Sequence, residues 1–301
     1  MRFDTEITLT GPWRRPAQML AEQEYDGHAS VHDDATATSL GLTGAPIEGP
    51  THLSQVDPLA VATWGTAWFE RGCASAHFRT MVVEGEEVQA SLALTGDQAR
   101  IDAVKTDGSP VLTGTASVGP DHGETELDAR LARSAPGELH ILDRLTIGAT
   151  QGDDHPVRIG RTERNGAGYP FSLDEKLARI TEPHPWYTAD GAASSPWGRA
   201  VVPFEMISVL AHKRGAAWPV RTPVLGLFLD LEIRMVQGPV FVDQDYAVAH
   251  ELVGLGQSRR TESYWTRTTL TDVDSGRPTA TVLLHSGVFK ESYPDYPRAR
   301  L

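Results

Sequence analysis

One order of elements is legible twice along this 301-residue chain: a glycine- and proline-containing loop, an apolar helical segment, then a run of short strands. In the first half, Leu53, Val56, Leu59, Ala60, Thr63, Trp64, Ala67 and Trp68 recur at helical spacing, which predicts one long helix over Thr51 to Arg71. The loop Gly44-Ala45-Pro46-Ile47-Glu48-Gly49-Pro50 leads into it, and Gly72 ends it. Strands are then expected over Ser75–Val83, Glu87–Leu94, Ala99–Thr106 and Val111–Val118, separated by Glu84-Gly85, Gly96-Asp97 and Asp107-Gly108. In the second half a loop through Pro183 to Pro203 precedes a helix over Phe204 to Ala216. Strands follow over Leu225–Val236, Val240–Leu252, Ser258–Leu270 and Thr279–Phe289. Local matches reinforce the repeat: Met81-Val82-Val83-Glu84-Gly85 parallels Met235-Val236-Gln237-Gly238.

Such a repeat divides the chain into units of about 150 residues, each large enough for its own core. The expected organisation is a first domain over 1–118, a connector over 119–160 and a second domain over 161–301. The connector is polar and rich in Gly, Pro and Asp, with a short helix near Leu127 to Arg133. Short turns make the strands antiparallel neighbours. A helix apolar over a wide arc, followed by such a meander, fits a curved sheet wrapped around the helix, an α+β arrangement. A flat α+β sandwich needs the same pattern.

The formal net charge of −13 argues against a nucleic-acid surface, which needs clustered Lys and Arg. The single cysteine, Cys73, excludes an internal disulfide and a multi-cysteine metal site, and reads as a core residue. No apolar run approaches the roughly 18 residues of a membrane span. Met1 to Thr10 lacks the basic start and apolar stretch of a secretion signal, so a cytoplasmic protein is expected.

Residues 28 to 53 resemble a known active-site segment. His28-Ala29-Ser30-Val31-His32-Asp33-Asp34, then Leu40-Gly41-Leu42, then Gly44-Ala45-Pro46-Ile47, is similar to the pattern of the MaoC-like hydratases and dehydratases. That pattern is Asp-x-Asn-Pro-hydrophobic-His-x-Asp followed by Gly-x-Pro-Ile and the central helix. His32 falls on the family's catalytic histidine, Val31 on the preceding hydrophobic residue and Asp34 on the later aspartate. Gly27, Ala29 and Ser30 fall on its aspartate, asparagine and proline, and Asp26 lies one residue early. In the second half, Glu182, Pro185, Tyr187 and Asp190 occupy the aspartate, proline, histidine and later aspartate positions, and Gly198 to Pro203 parallels Gly-x-Pro-Ile. The resemblance implies two tandem hotdog domains forming an internal pseudo-dimer, one carrying the chemistry and the other shaping an acyl tunnel. Further dimerisation is left open.

The resemblance implies a small-molecule acyl thioester as substrate, with coenzyme A or phosphopantetheine entering as part of it and no separate cofactor or metal. Hydrating a 2-enoyl thioester, or dehydrating the 3-hydroxyacyl form, needs a base, an acid and a donor to the thioester oxygen. His32 with Asp26 is the expected pair, with Glu182 and Tyr187 as the second-half candidates. Backbone amides from Gly49 to Thr51 are candidate oxyanion donors, and Glu48 and His52 border the same segment. His28, Asp34, His184 and Trp186 complete the expected binding residues, and Arg14-Arg15 and Arg259-Arg260 are candidates for the phosphates. The plainer readings make Asp33 and Asp34 helix caps, Trp64 and Trp68 core, and His32 a loop histidine. Thioester hydrolysis, a lyase or cyclase step, and non-catalytic acyl binding are the alternative functions, because a fold does not fix its chemistry.

Overall fold

A computed structural model describes residues 5–25, 28–152 and 155–297. The first half contains β1 (Ile7–Thr10), the two-residue strands β2 (Glu24–Tyr25) and β3 (His28–Ala29), and α1 (Asp34–Ser39). The central helical run follows as α2 (Gly49–Leu53), a 3-10 turn (Ser54–Val56), α3 (Asp57–Trp64) and α4 (Ala67–Arg71). It is therefore not one helix. Pro58 sits in the first turn of α3, where its missing N–H costs least, and Gly65 ends that helix at φ 60°. Strands β4 (Gly72–Phe78), β5 (Val88–Thr95), β6 (Gln98–Lys105) and β7 (Pro110–Val118) complete the half.

Beyond α5 (Glu126–Ala132), β8 (Thr150–Gly152) opens the second repeat. The repeat thus begins inside the stretch read as connector: β8 pairs with the later β10 as β1 pairs with β5. Isolated bridges preserve the correspondence, Arg14 to Val88 matching Val157 to Tyr246 and Pro46 to Val83 matching Val201 to Phe241. Next come α6 (Leu173–Leu177), α7 (Phe204–His212), β9 (Gly226–Met235), β10 (Tyr246–Gln257), β11 (Thr261–Asp272) and β12 (Pro278–Phe289). Helix α7 stops short of the expected Ala216, with Gly215 at φ 46° just beyond it. The expected strand from Val240 begins only at Tyr246, because Val242 and Asp243 turn and Asp243 takes φ 59°.

All the long strands form one ten-stranded sheet in the order β1-β5-β6-β7-β4-β9-β12-β11-β10-β8. Each half contributes five, and β4 joins β9 antiparallel from Cys73–Arg234 to His77–Asp230. Strand alternation sorts the side chains: Ala74, Ala76, Leu231, Ile233 and Met235 enter the core on the helix side. Trp68, fully buried, stacks on Phe204 of α7 at 4.8 Å and on Trp64 at 5.8 Å, so the two central helical segments share one core.

The opposite face of the seam carries a polar layer covered by α5. Leu127 and Leu131 pack on Trp265 and Leu283. Thr125 caps α5 and donates to Glu232 at 2.6 Å, while Arg130 meets Asp230 at 2.9 Å. Asp230 also accepts from His77 at 2.6 Å and from His285, whose ring stacks on Trp265. Cys73 is buried in this layer, and burial pushes its thiol well above the ordinary range, which fits a packing role. Among the described residues no helix is long and apolar enough to cross a membrane.

Candidate functional site

A cavity of about 550 Å³ runs between the halves. Its first-half wall includes Val31, His32, Ile47, Glu48, Gly49 and Phe78, and its second-half wall includes His212, Trp218, Phe228, His250 and Leu284. The opening follows from unequal helices. The first half fills its sheet with helical segments from Gly49 to Arg71, whereas α7 has nine residues and the chain then passes as a loop to Gly226. Trp218, Val220 and Val224 of that loop line the resulting space, which lies within the size range of ordinary ligand pockets.

His32 is held at the cavity wall by backbone on both sides. Val31 is buried in front of it, and Ser30 Oγ accepts from the His32 amide at 3.1 Å. Its Nδ1 lies 2.5 Å from the carbonyl oxygen of Pro46. A carbonyl can only accept, so Nδ1 carries the proton and the lone pair is left on Nε2. Burial lowers the pKa of the ring, offset in part by the Pro46 carbonyl and by the charge of Glu48. The neutral ring is therefore a base at neutral pH.

The neighbouring aspartates are struts. Asp33 caps α1 through the Thr36 amide at 2.8 Å, and Asp34 Oδ1 accepts from the Ala45 amide at 2.9 Å, tying the histidine loop to the Pro46 loop. Glu48 is buried, lines the cavity, and accepts from Lys176 Nζ at 3.2 Å and Thr51 Oγ1 at 3.3 Å, both through Oε1. Lys176 is itself buried and meets Glu205 Oε2 at 2.9 Å. Gly49 is required by packing: a Cβ there would stand 2.5 Å from the Phe78 ring. His52 lines the cavity with neither ring nitrogen hydrogen-bonded among the described residues, and burial lowers its pKa to about 3. Thr51 lies behind the wall, its amide donating to the Glu48 carbonyl at 3.2 Å, whereas Gly49 lines the cavity itself.

Solved structures share this architecture. A protein of Mycobacterium tuberculosis described as having a double hotdog fold superposes with a TM-score of 0.59 at 13% identity, covering 96% of this chain and 97% of that one. A MaoC domain protein dehydratase from Chloroflexus aurantiacus gives 0.56 at 14% identity over 96% and 95%. A protein described as a MaoC-like dehydratase gives 0.52 at 14% identity over 96% and 98%. The fold is the double hotdog of the MaoC-like dehydratases. No protein-family model matches the sequence, and no curated protein shows significant similarity to it.

In this double hotdog the second-half counterpart of the His32 site is filled. Tyr187 is buried among Phe69, Trp186 and Val201, with Trp197 against the same cluster. His184 stacks edge-on to Trp186 at 4.6 Å. Glu182 forms a two-pronged pair with Arg14 at 2.6 and 3.0 Å. None of Glu182, His184, Trp186 and Tyr187 lines the cavity, so the second-half constellation read from sequence is not brought to His32. Asp26 lies outside the described residues; of His28 the backbone is described, pairing with Tyr25.

The expected phosphate cations are also elsewhere. Arg14 is engaged by Glu182, Arg15 by Glu87 at 3.1 Å and Arg260 by Glu291 at 3.8 Å. The only Lys or Arg on the cavity wall among the described residues is Arg79, which is exposed. Sequence reading also missed the polar far end of the cavity. There Trp218 donates to Thr266 at 3.0 Å, and His250 meets Thr268 at 2.9 Å. His212 holds Ser208 O at 2.7 Å through Nδ1, with burial lowering its pKa to about 4. A signal existed for His250: it shares the inward parity of Val248 and Leu252, where a polar residue is out of pattern. Lys176 had a weaker one, the Ser172 to Glu175 capping box that starts α6.

Proposed function

We propose that this double hotdog is an acyl-thioester dehydratase or hydratase acting on 3-hydroxyacyl or 2-enoyl thioesters. The observation that carries the reading is His32, its Nδ1 clamped 2.5 Å from Pro46 O, on the wall of a largely apolar cavity of about 550 Å³ between the halves. Dehydration begins with loss of the C2 proton, which the thioester carbonyl acidifies. A neutral, oriented imidazole is suited to take it. The Gly49 N–H, on the same wall, is the donor for the thioester oxygen as charge develops there. The solved dehydratases of the same fold support the reaction class.

Arg79 is the residue for the phosphates of the thiol carrier. The chain's net charge of −13 disfavours an acidic carrier protein, by like-charge repulsion. The acyl chain extends toward Val224, Phe228 and Leu284 in the second half. The test is a panel of enoyl-CoA thioesters, from crotonyl upward, followed by absorbance and mass. Addition of water is the expected outcome. Release of free thiol without hydration would make the protein a thioesterase, and binding without product would make it an acyl-chain binder.

A further inference from the structure

We propose that Glu48 is the acid–base partner of His32 in this site and that Lys176 is its positioning residue. The inference rests on the acyl-thioester reading and supplies the carboxylate that the sequence motif lacks, since Gly27 stands where an aspartate would be needed. Among the described residues that line the cavity, Glu48 is the only Asp or Glu. It stands on the other loop of the same wall, two residues beyond Pro46, whose carbonyl fixes the imidazole. One stretch of backbone therefore sets both the ring and the carboxylate. Both side chains line the one cavity, and the charge of Glu48 offsets part of the lowering that burial imposes on the His32 ring.

The carboxylate is also oriented. Both hydrogen bonds that hold Glu48, from Lys176 and Thr51, fall on Oε1, so Oε2 is the oxygen left for a proton of the substrate. Lys176 is 2% exposed and lies between Glu48 at 3.2 Å and Glu205 at 2.9 Å. One cation is shared by two buried carboxylates, so Glu205 competes with Glu48 for the charge of Lys176. Burial and Glu48 raise the pKa of Glu205 accordingly, although Lys176 opposes them. The other titratable neighbours are His32 and His52 on the cavity side, with His52 held neutral, and Asp57 of α3 and Tyr187, both pushed well up by burial and in part by the charge of Glu205.

The step balances with these groups alone. In dehydration, His32 Nε2 takes the proton from C2. The C2–H electron pair becomes the C2=C3 bond as the C3–O bond breaks, and the hydroxyl leaves as water with the proton from Glu48 Oε2. His32 ends protonated and Glu48 ionised; transfer of that proton through water resets the pair. Hydration runs the same transfers in reverse.

The test is Glu48→Gln in the full chain, assayed on the 3-hydroxyacyl-CoA that wild type turns over best, with thermal melting as the folding control. Glutamine keeps an oxygen for Lys176 and Thr51 but no transferable proton. A kcat loss of about 10²- to 10⁴-fold is expected. The kcat profile should also lose its alkaline limb, which reports the need for a protonated acid, and keep the acid limb of His32. Glu205→Gln leaves the Lys176–Glu48 pair intact but removes the second carboxylate on Lys176, and should shift the alkaline limb. Three results overturn the proposal: Glu48→Gln with kcat near wild type and both limbs intact, Glu205→Gln without any shift, or His32→Ala inactive while Glu48→Gln is not. The last would leave the dehydratase reading standing. A wild-type protein that turns over no enoyl- or 3-hydroxyacyl-CoA would overturn both.

Discussion

Replacing Asp230 by asparagine should loosen the seam between the halves, and the structure sets the size of the effect. The Asp230 side chain has no solvent exposure and receives His77 at 2.6 Å, His285 and Arg130 at 2.9 Å. His285, His77 and Arg130 hold its pKa down at about 2 against its burial, from an ordinary 3.8. A carboxylate whose pKa is depressed by folding adds stability above its unfolded pKa, and that stability is lost as pH falls through the folded value. A shift of roughly 2 units corresponds to about 2.5 kcal/mol, present above about pH 4 and gone below about pH 2. Asparagine keeps the volume but offers one acceptor oxygen to two histidines and no charge to Arg130, so Asp230→Asn should cost about 3 kcal/mol at pH 7. Urea unfolding followed by tryptophan fluorescence should show a lower midpoint with unchanged slope. The gap to wild type should narrow as the pH approaches 2. A variant as stable as wild type at pH 7, or a gap independent of pH down to 2, would refute the reasoning.

The remaining predictions concern the cavity. Val224→Trp, in the loop that lines the second half, should cut kcat/KM for eight-carbon and longer acyl-CoA at least tenfold and leave crotonyl-CoA within threefold, as steady-state kinetics across chain lengths would show. Arg79→Ala should raise KM for coenzyme A thioesters several-fold, and more at low salt, while thioesters of N-acetylcysteamine, which carry no phosphate, should be indifferent. Tyr187→Phe should leave kcat within twofold, because the ring belongs to a packed aromatic cluster outside the cavity; a tenfold loss would place the chemistry in the second half after all.

The fold was readable because its signals are local. Helical spacing around Leu53 to Trp68, strand alternation with turn dipeptides, and the repetition of both located nearly every long element. The breaks were missed where helix spacing continues across a breaker, as at Pro58 and Gly65. The start of the second repeat was missed because β8 has three residues and is defined by its pairing with β10, which composition does not record. For the site, the loop order around His32 and Pro46 was legible as motif. The Glu48–Lys176–Glu205 group was not, because its members come from the loop entering α2, from α6 and from α7, and Glu48 and Lys176 are 128 residues apart in sequence. Tyr187 and Glu182 were misplaced for the converse reason: motif position puts them opposite His32, but Phe69 and Trp197 fill the space around Tyr187, and Arg14 consumes the charge of Glu182.

The central claim is that His32 exchanges a proton with C2 of an acyl thioester, and hydration of crotonyl-CoA in deuterium oxide tests it most directly. Wild type should yield 3-hydroxybutyryl-CoA with one carbon-bound deuterium at C2, and His32→Ala should form it at least a hundredfold more slowly with an unchanged melting temperature. Equal rates of labelled product from both proteins would contradict the account, as would a wild-type protein that forms none.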